Sequence, residues 1–567
     1  MHTVEIVLLV VLLGALTGIV ARYMRGIPLP LIQIALGALL SWPRQGLHIA
    51  FDPDLFLALF IPPLLFADGW RIPKREFFAL LMPILRLALG LVLFTVLGLG
   101  LLIHWLIPGI PLSVAFALAA VVSPTDAVAV AAITRNLGMP ARTLHLLQGE
   151  SLLNDASGLV ALKFAVAATL TGAFSWSAAA SDFLWMALGG LGLGALLGWG
   201  FAIARDAVTR RVGDVAATQL VLLLVLLPFA AYILAERLGA SGILAAVAAG
   251  VTTNFADLRR SAFIAERMQS EGAWTMMESA FNGAVFLLLG LQLPSIIGGA
   301  LHAAGDRWWL PLAQALAISL GLLGLRWLWL SLGVLGRLQQ GGQRPPAALT
   351  LCRTLAGIRG AVTLAGALSV PLLMNDGTPF PAREQLIFLA TGTILCTLVI
   401  GSIGLPLVLR LLPPAGEEAA TREEREARLA ACRAAIAYLV QSPRNARTTD
   451  PEQLTQQQEA AGRLTQDYRK RIDLLDEAAD ARTPETQADA PEAVRERRER
   501  YLVEMELRLQ TLHIERDTLY AERQAQRIND EVLRTLVAEL DLSEVSLRRR
   551  IAAARRTLGV PARDAAG

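Results

Sequence analysis

Cysteine is scarce in this 567-residue chain. Cys352 and Cys396 fall in apolar stretches and Cys432 in a charged region, which excludes a disulfide framework. Charge is scarce too, but only over the first part. From Met1 to about Leu412 the ionisable residues sit mostly in short breaks between long apolar runs, which excludes an ordinary soluble domain there. The opening segment, MHTVE, lacks a basic n-region and carries Glu5, so the first apolar run reads as a retained span rather than a secretory signal. His104 and His145 stand alone, and the spans hold no Ser/His pair and no two-His metal motif, which sets aside a membrane-embedded hydrolase. The charged remainder has no nucleotide-binding glycine loop and no cluster of metal-type ligands. Nothing in the composition asks for a cofactor or a nucleic-acid partner.

What is abundant is apolar: 54% of the residues are hydrophobic, against a usual 45–50%, and the net charge of +3 says less than its placement. Thirteen runs approach the roughly 20 residues that span a bilayer. They cover 4–22, 27–43, 54–69, 77–107, 112–135, 143–171, 183–203, 217–236, 240–256, 273–296, 310–333, 347–372 and 385–411. The pattern predicts an all-α membrane domain over residues 1–412, in contact with lipid, and a soluble helical tail over 413–567. Alternate loops hold Arg22, Arg25, Arg71, Lys74, Arg75, Arg135, Arg142, Arg205, Arg210, Arg211, Arg259, Arg260, Arg267, Arg337 and Arg344. The other loops hold only Arg44, Arg237, Arg307 and Arg383. By the positive-inside bias the first set is cytoplasmic, the N-terminus lies outside and the tail inside.

Ionisable residues within spans mark function unless a simpler account exists. Arg86 and Arg326 lie near the expected inner ends of their helices and read as snorkelling side chains. Lys163 admits either snorkelling or pairing. Glu278, four residues before Asn282 on one helical face, fits a cytoplasmic vestibule or the headgroup level. Asp126, Glu150, Asp155 and Arg359 are too deep for such accounts. A buried network tying helices together would need one carboxylate for one arginine. Three carboxylates leave excess negative charge for a cation or protons to balance.

Two segments carry the chemistry. In Ser123-Pro124-Thr125-Asp126 a mid-span proline removes a backbone bond. Freed carbonyls at membrane depth occur only beside a protein-lined or wet cavity. Carbonyls, a hydroxyl and a carboxylate are hard oxygen ligands for a small cation, and discontinuous helices of this kind build ion sites in transporters with inverted repeats. In Glu150–Asp155, helical spacing stacks Ser151 with Asp155 on one face and Glu150 with Asn154 on the next. An unpaired buried Asp155 can be neutralised by a proton or by a cation but not by both at once, the physical requirement for antiport. Arg359, between Gly357 and Gly360, stays charged and needs a partner; Glu150 is the expected one, leaving Asp155 free to titrate.

With SPTDAVAV, GESLLNDASGLV, FNGAVFLLLGLQLP and GIRGAV in this order, the sequence resembles the monovalent cation/proton antiporter family, in its sodium/proton exchanger branch. The resemblance implies a homodimer in a bacterial inner membrane, serving pH homeostasis, with a dimerisation domain and a core domain that moves as an elevator. It implies two broken, crossing helices, one holding Pro124–Asp126 and the other in TILCTLVIGSIGLPLV. It gives Asp155 the role of ion- and proton-binding aspartate, places Asp126, Thr125, Ser151 and Asn154 around a sodium ion, and makes Glu150–Arg359 a structural pair. The Asn154-Asp155 form goes in that family with electroneutral exchange. The family often has Asp-Pro after its threonine; here Ala127 follows Asp126 and the proline precedes it. A potassium/proton antiporter would use the same residues, lithium being a further candidate cargo, and a channel would need a continuous pore.

In the tail, RTTDPEQLTQQQ and ARTPETQADAPEA read as linkers. Leu502, Met505, Leu509, Leu512 and Leu519, then Ile528, Val532, Leu536 and Leu540, form a narrow apolar stripe. This predicts a hairpin or coiled coil that packs on itself or its twin, or else a module that binds a regulator.

Overall fold

The computed structural model describes residues 2–21, 28–42, 53–134, 137–171, 176–212, 217–256, 264–304, 307, 309–339, 346–412, 417–441, 451–480, 492–525, 527 and 530–557. Arg22, Arg25, Arg44, Arg135, Arg259, Arg260, Arg344, Ile528, the domain boundary after residue 412 and the linker stretch 481–491 lie outside the described residues. The chain divides into two compact units, Met1–Ala415 and Gly416–Gly567.

All thirteen apolar runs carry helix. In chain order they are α1 (His2–Val20), α2 (Leu29–Ser41), α3 (Pro53–Arg71), a fourth span in pieces, α7 (Leu112–Val121) with α8 (Ala127–Thr134), α9 (Ala141–Thr171), α10 (Trp176–Val212), α11 (Ala217–Arg237), α12 (Gly242–Ala256), α13 (Ile264–Ala304), α14 (Trp309–Gln339), α15 (Ala347–Leu355) with α16 (Ala361–Leu368), and α17 (Arg383–Leu409). The fourth span comprises α4 (Lys74–Ala79), α5 (Leu81–Leu85), a π-helical stretch Arg86–Leu91 and α6 (Val92–Leu106). Among the described residues, seven helices are long and apolar enough to cross a membrane, and four more are apolar but shorter.

The packing repeats itself after seven spans. The second span, α2, packs on the tenth, α13, as the ninth, α12, packs on the third, α3. Likewise α1 packs on α13 as α11 packs on α3. The broken fifth and twelfth spans obey the same shift. An odd shift reverses the direction of crossing, so the two halves are inverted repeats. The helices sort into two bundles: α1–α3 with α10–α13, and α4–α9 with α14–α17.

The second break is not where TILCTLVIGSIGLPLV placed it, because that segment lies within the continuous α17. Its glycines admit a neighbour rather than ending the helix. A Cβ on Gly401 would come 2.5 Å from Ile358 Cδ1, and one on Gly404 2.9 Å from Leu355 Cδ1. The break itself falls at Ala356–Gly360, which includes the whole GIRG motif.

Among its described residues the tail unit holds four helices, α18 (Glu417–Gln441), α19 (Pro451–Asp480), α20 (Glu492–Gln524) and α21 (Asp530–Thr557). Residues 451–458, read as linker, begin α19: Pro451 takes the first helical position, where its missing N–H has no helical partner to lose. α18 packs on α19 and α20 on α21. Met505 and Ile551 are buried, Leu502, Leu509, Leu512 and Leu519 half-buried, and Val532 exposed. Across α20 and α21, Arg516 meets Asp541 at 2.6 Å and Glu544 at 2.5 Å, and Arg555 meets Glu506 at 2.7 Å; within α21, Arg548 meets Glu544 at 2.6 Å.

Candidate functional site

The two breaks meet. Pro124 has no N–H to extend α7, and the Ser123 N–H and Oγ both turn back to the Ala120 carbonyl, at 3.3 and 3.1 Å. The chain stays non-helical until Asp126, whose Oδ1 accepts the N–H groups of Val128 (2.8 Å) and Ala129 (3.1 Å) and so caps α8. From the other break, the Ile358 carbonyl accepts the Asp126 N–H at 2.8 Å. Arg359 Nη1 donates to the Pro124 carbonyl at 2.8 Å, and the Arg359 N–H donates to Thr397 Oγ1 of α17 at 3.2 Å. Gly360 is required by this approach: a Cβ there would lie 2.0 Å from Asp126 Oδ2.

α9 lies against the same point. Ser151 Oγ donates to the Thr125 carbonyl at 2.8 Å and accepts the Ala127 N–H at 3.3 Å. Asn154 Nδ2 donates to Thr125 Oγ1 at 2.8 Å, leaving Asn154 Oδ1 without a protein partner. Asp155 is buried beside them. A cavity of about 50 Å³, room for a few water-sized ligands, opens between the two bundles. Thr125, Asp126, Ser151 and Asp155 line it from one bundle, Asp68 of α3 and Asn282 of α13 from the other.

Several residues stand elsewhere than the sequence suggested. Glu150 pairs not with Arg359 but with Arg326, in a fork whose Nη2–Oε2 arm is 2.8 Å and whose second arm joins Nη1 to Oε1. Arg326 is no snorkelling side chain. α14 runs on to Gln339, beyond its apolar run, and Arg326 is 2% exposed. Its Nε donates to the Arg353 carbonyl at 2.9 Å, at the end of α15. Gly357 makes room for it, since a Cβ there would meet Arg326 Cδ at 2.8 Å. Glu278 does not line the cavity; it pairs with Arg71, which also donates to Thr275 Oγ1 at 3.1 Å. Asn282, one turn away, does line it. Lys163 pairs with Glu236 of α11 at 3.5 Å, joining the two bundles, while Arg86 is exposed.

The transmembrane sodium/hydrogen exchanger model matches residues 8–411. The chain belongs to the sodium/hydrogen exchanger family. Among family members, an uncharacterized Na(+)/H(+) exchanger of Escherichia coli (strain K12), YjcE, is 44% identical over 556 residues, 95% of this chain and 98% of its own. The sodium, potassium, lithium and rubidium/H(+) antiporter of Bacillus subtilis (strain 168) is 45% identical over 409 residues, 71% of this chain and 61% of the relative. The fold is similar to that of the sodium proton antiporter MjNhaP1 from Methanocaldococcus jannaschii, with a TM-score of 0.57 and 19% identity over 72% of this chain and 98% of that one. The exchangers are transporters. Asp68 escaped the sequence reading because it sits one turn before Arg71, Lys74 and Arg75, where charge looks like loop. The signal was its spacing. Ile61, Leu64, Leu65 and Asp68 follow the 3-4-7 rule of one helical face, so an acid occupied an apolar stripe.

Proposed function

We propose that the protein exchanges sodium for protons, with Asp155 as the group that holds one or the other. The observation that carries this reading is the cavity itself. Asp155, Asp126 and Asp68 face one small space between two bundles, beside crossing helix breaks whose carbonyls and hydroxyls are hard ligands. Three carboxylates at one buried site cannot all keep their charge unless a cation or protons balance them. Asp126, tied to the start of α8, supplies an oriented oxygen. Ser151 and Asn154 hold the Thr125 segment, so that its carbonyl and hydroxyl stay at the site. Arg326–Glu150 is the structural pair.

The bundle carrying Asp155 slides past the other as an elevator, presenting the site to either side in turn. The Asn154-Asp155 form accompanies electroneutral exchange. The protein is a homodimer of a bacterial inner membrane that serves pH homeostasis, its N-terminus outside and its tail in the cytoplasm. A broader cargo, with potassium and lithium beside sodium, is favoured by the named ions of the Bacillus subtilis relative.

The experiment is flux in proteoliposomes under an imposed pH gradient, one cation at a time, for the wild type and Asp155→Asn. The amide keeps the size and removes the charge, so folding survives and exchange is lost at every pH. In the wild type, more external sodium moves the pH midpoint down, because ion and proton compete. Sustained sodium/proton exchange by the Asn variant refutes the assignment, and uncoupled, non-saturating current in the wild type points to a channel.

A further inference from the structure

One polar side chain next to the site is not used by the reading above. Leu146, Leu153 and Ser157 form a stripe of α9, and the two leucines pack on Ile84, Leu87 and Leu91 of the fourth span. Ser157 is a polar member of this stripe, along with Glu150, which Arg326 holds. Opposite it lies the π-helical stretch Arg86–Leu91. Where bonding to the fifth residue returns to bonding to the fourth, one carbonyl of such a stretch is left over, and π-bulges of this kind gather at functional sites. Ser157 Oγ donates to the Ala88 carbonyl at 2.7 Å. The same oxygen lies 3.1 Å from the Asn154 carbonyl, which belongs to the peptide joining Asn154 to Asp155.

We infer that Ser157 is a positioning residue for ion exchange. Its hydroxyl, held between the π-helical stretch and the Asn154–Asp155 peptide, sets the height and rotation of Asp155 at the cavity. This rests on the reading of Asp155 as the exchanging group. The geometry separates the two roles. Two residues along a helix turn by about 200°, so the back of α9 is clasped while Asp155 faces forward, toward Asp68, Asp126 and Arg359. Thr125 contacts fix the front through Ser151 and Asn154. On the back, the Glu150–Arg326 fork ties α9 to α14, and the Ser157 hydroxyl is the directional contact that ties α9 to the π-helical stretch, where the leucines beside it can slide.

The test compares wild type, Ser157→Ala and Ser157→Thr in proteoliposomes. It reads the sodium concentration at half-maximal rate, the maximal rate, the pH midpoint, and the melting temperature in detergent. Loss of one half-buried hydroxyl–carbonyl bond corresponds to about a fivefold change in equilibrium. The alanine variant is expected to raise the half-maximal sodium concentration about fivefold and to displace the pH midpoint by about half a unit or more. Threonine, which keeps the hydroxyl, restores both. If alanine does not yield folded protein, Ser157→Cys, a weak donor of similar size, takes its place. A variant that melts earlier but keeps wild-type sodium dependence and pH midpoint overturns the inference, as does threonine behaving like alanine. Absence of sodium/proton exchange in the wild type itself overturns the reading of Asp155 instead.

Discussion

Replacing Glu150 with Gln leaves the Arg326 guanidinium buried beside a neutral amide. Both partners are nearly inaccessible, 1% and 2% exposed, so water cannot take over the lost charge. Breaking one side of such a pair costs about 3–5 kcal/mol. Arg326→Met costs a similar amount through the stranded carboxylate, and in addition frees the Arg353 carbonyl that Arg326 Nε now serves. Independent losses would sum to roughly 6–10 kcal/mol. The double variant Glu150→Gln/Arg326→Met removes both charges at once. Its remaining losses are the bond to the Arg353 carbonyl and an under-satisfied amide, about 1–3 kcal/mol. The expected coupling is therefore on the order of 5 kcal/mol, far above what unconnected sites give. Denaturant titration in mixed micelles measures it, with a thermal ranking by size-exclusion recovery as a second readout. Glu150→Gln/Arg359→Met is the control, and should recover little, because Arg359 donates to the Pro124 carbonyl. A double variant as unstable as its worse parent refutes the pairing, and so does equal recovery in the control.

Gly360→Ala sets a methyl 2.0 Å from Asp126 Oδ2 and must displace that carboxylate; folded protein with exchange reduced at least tenfold is expected, and wild-type flux would show the crossing to be looser than described. Lys163→Glu turns the bridge between bundles into repulsion, so exchange should slow and Lys163→Glu/Glu236→Lys should recover it; an unchanged rate in the single variant removes the bridge from the mechanism. In the tail, hydrogen bonds from Arg516, then Arg548 and His513, hold the Glu544 carboxyl at about 2, below its ordinary 4.5. A depressed acid stabilises above its ordinary value and loses that contribution as pH falls from 4.5 toward 2, so the protease resistance that Glu544→Gln lowers at neutral pH should converge with wild type over that window; a constant difference argues against the ion pairs. A reporter fused after Gly567 should be cytoplasmic, and external labelling there overturns the assignment of the basic loops.

The thirteen helical runs were legible because burial in lipid demands long apolar stretches, a local property. The first break was legible for the same reason: Pro124 removes a bond wherever it stands. The second was not. The segment TILCTLVIGSIGLPLV, where the resemblance put the second break, holds Gly401 and Gly404 as contacts for Ile358 and Leu355, while the break at Ala356–Gly360 contains no proline. Its carbonyl ends are satisfied by residues far away, Asp126 on Ile358 and Arg326 on Arg353, and no local window holds such information. The misassigned arginine has the same origin. Arg326 and Arg359 are both arginines within apolar runs, and sequence ranks them only by distance from a presumed span end. What separates them is the break each one serves. Arg326 reaches the last turn of α15 and brings Glu150 with it, whereas Arg359 reaches the extended stretch that Pro124 opens. Glu150 is thereby paired without Arg359, and Asp68, Asp126 and Asp155 are the carboxylates that face the cavity, where the proposed exchange puts its cation or proton.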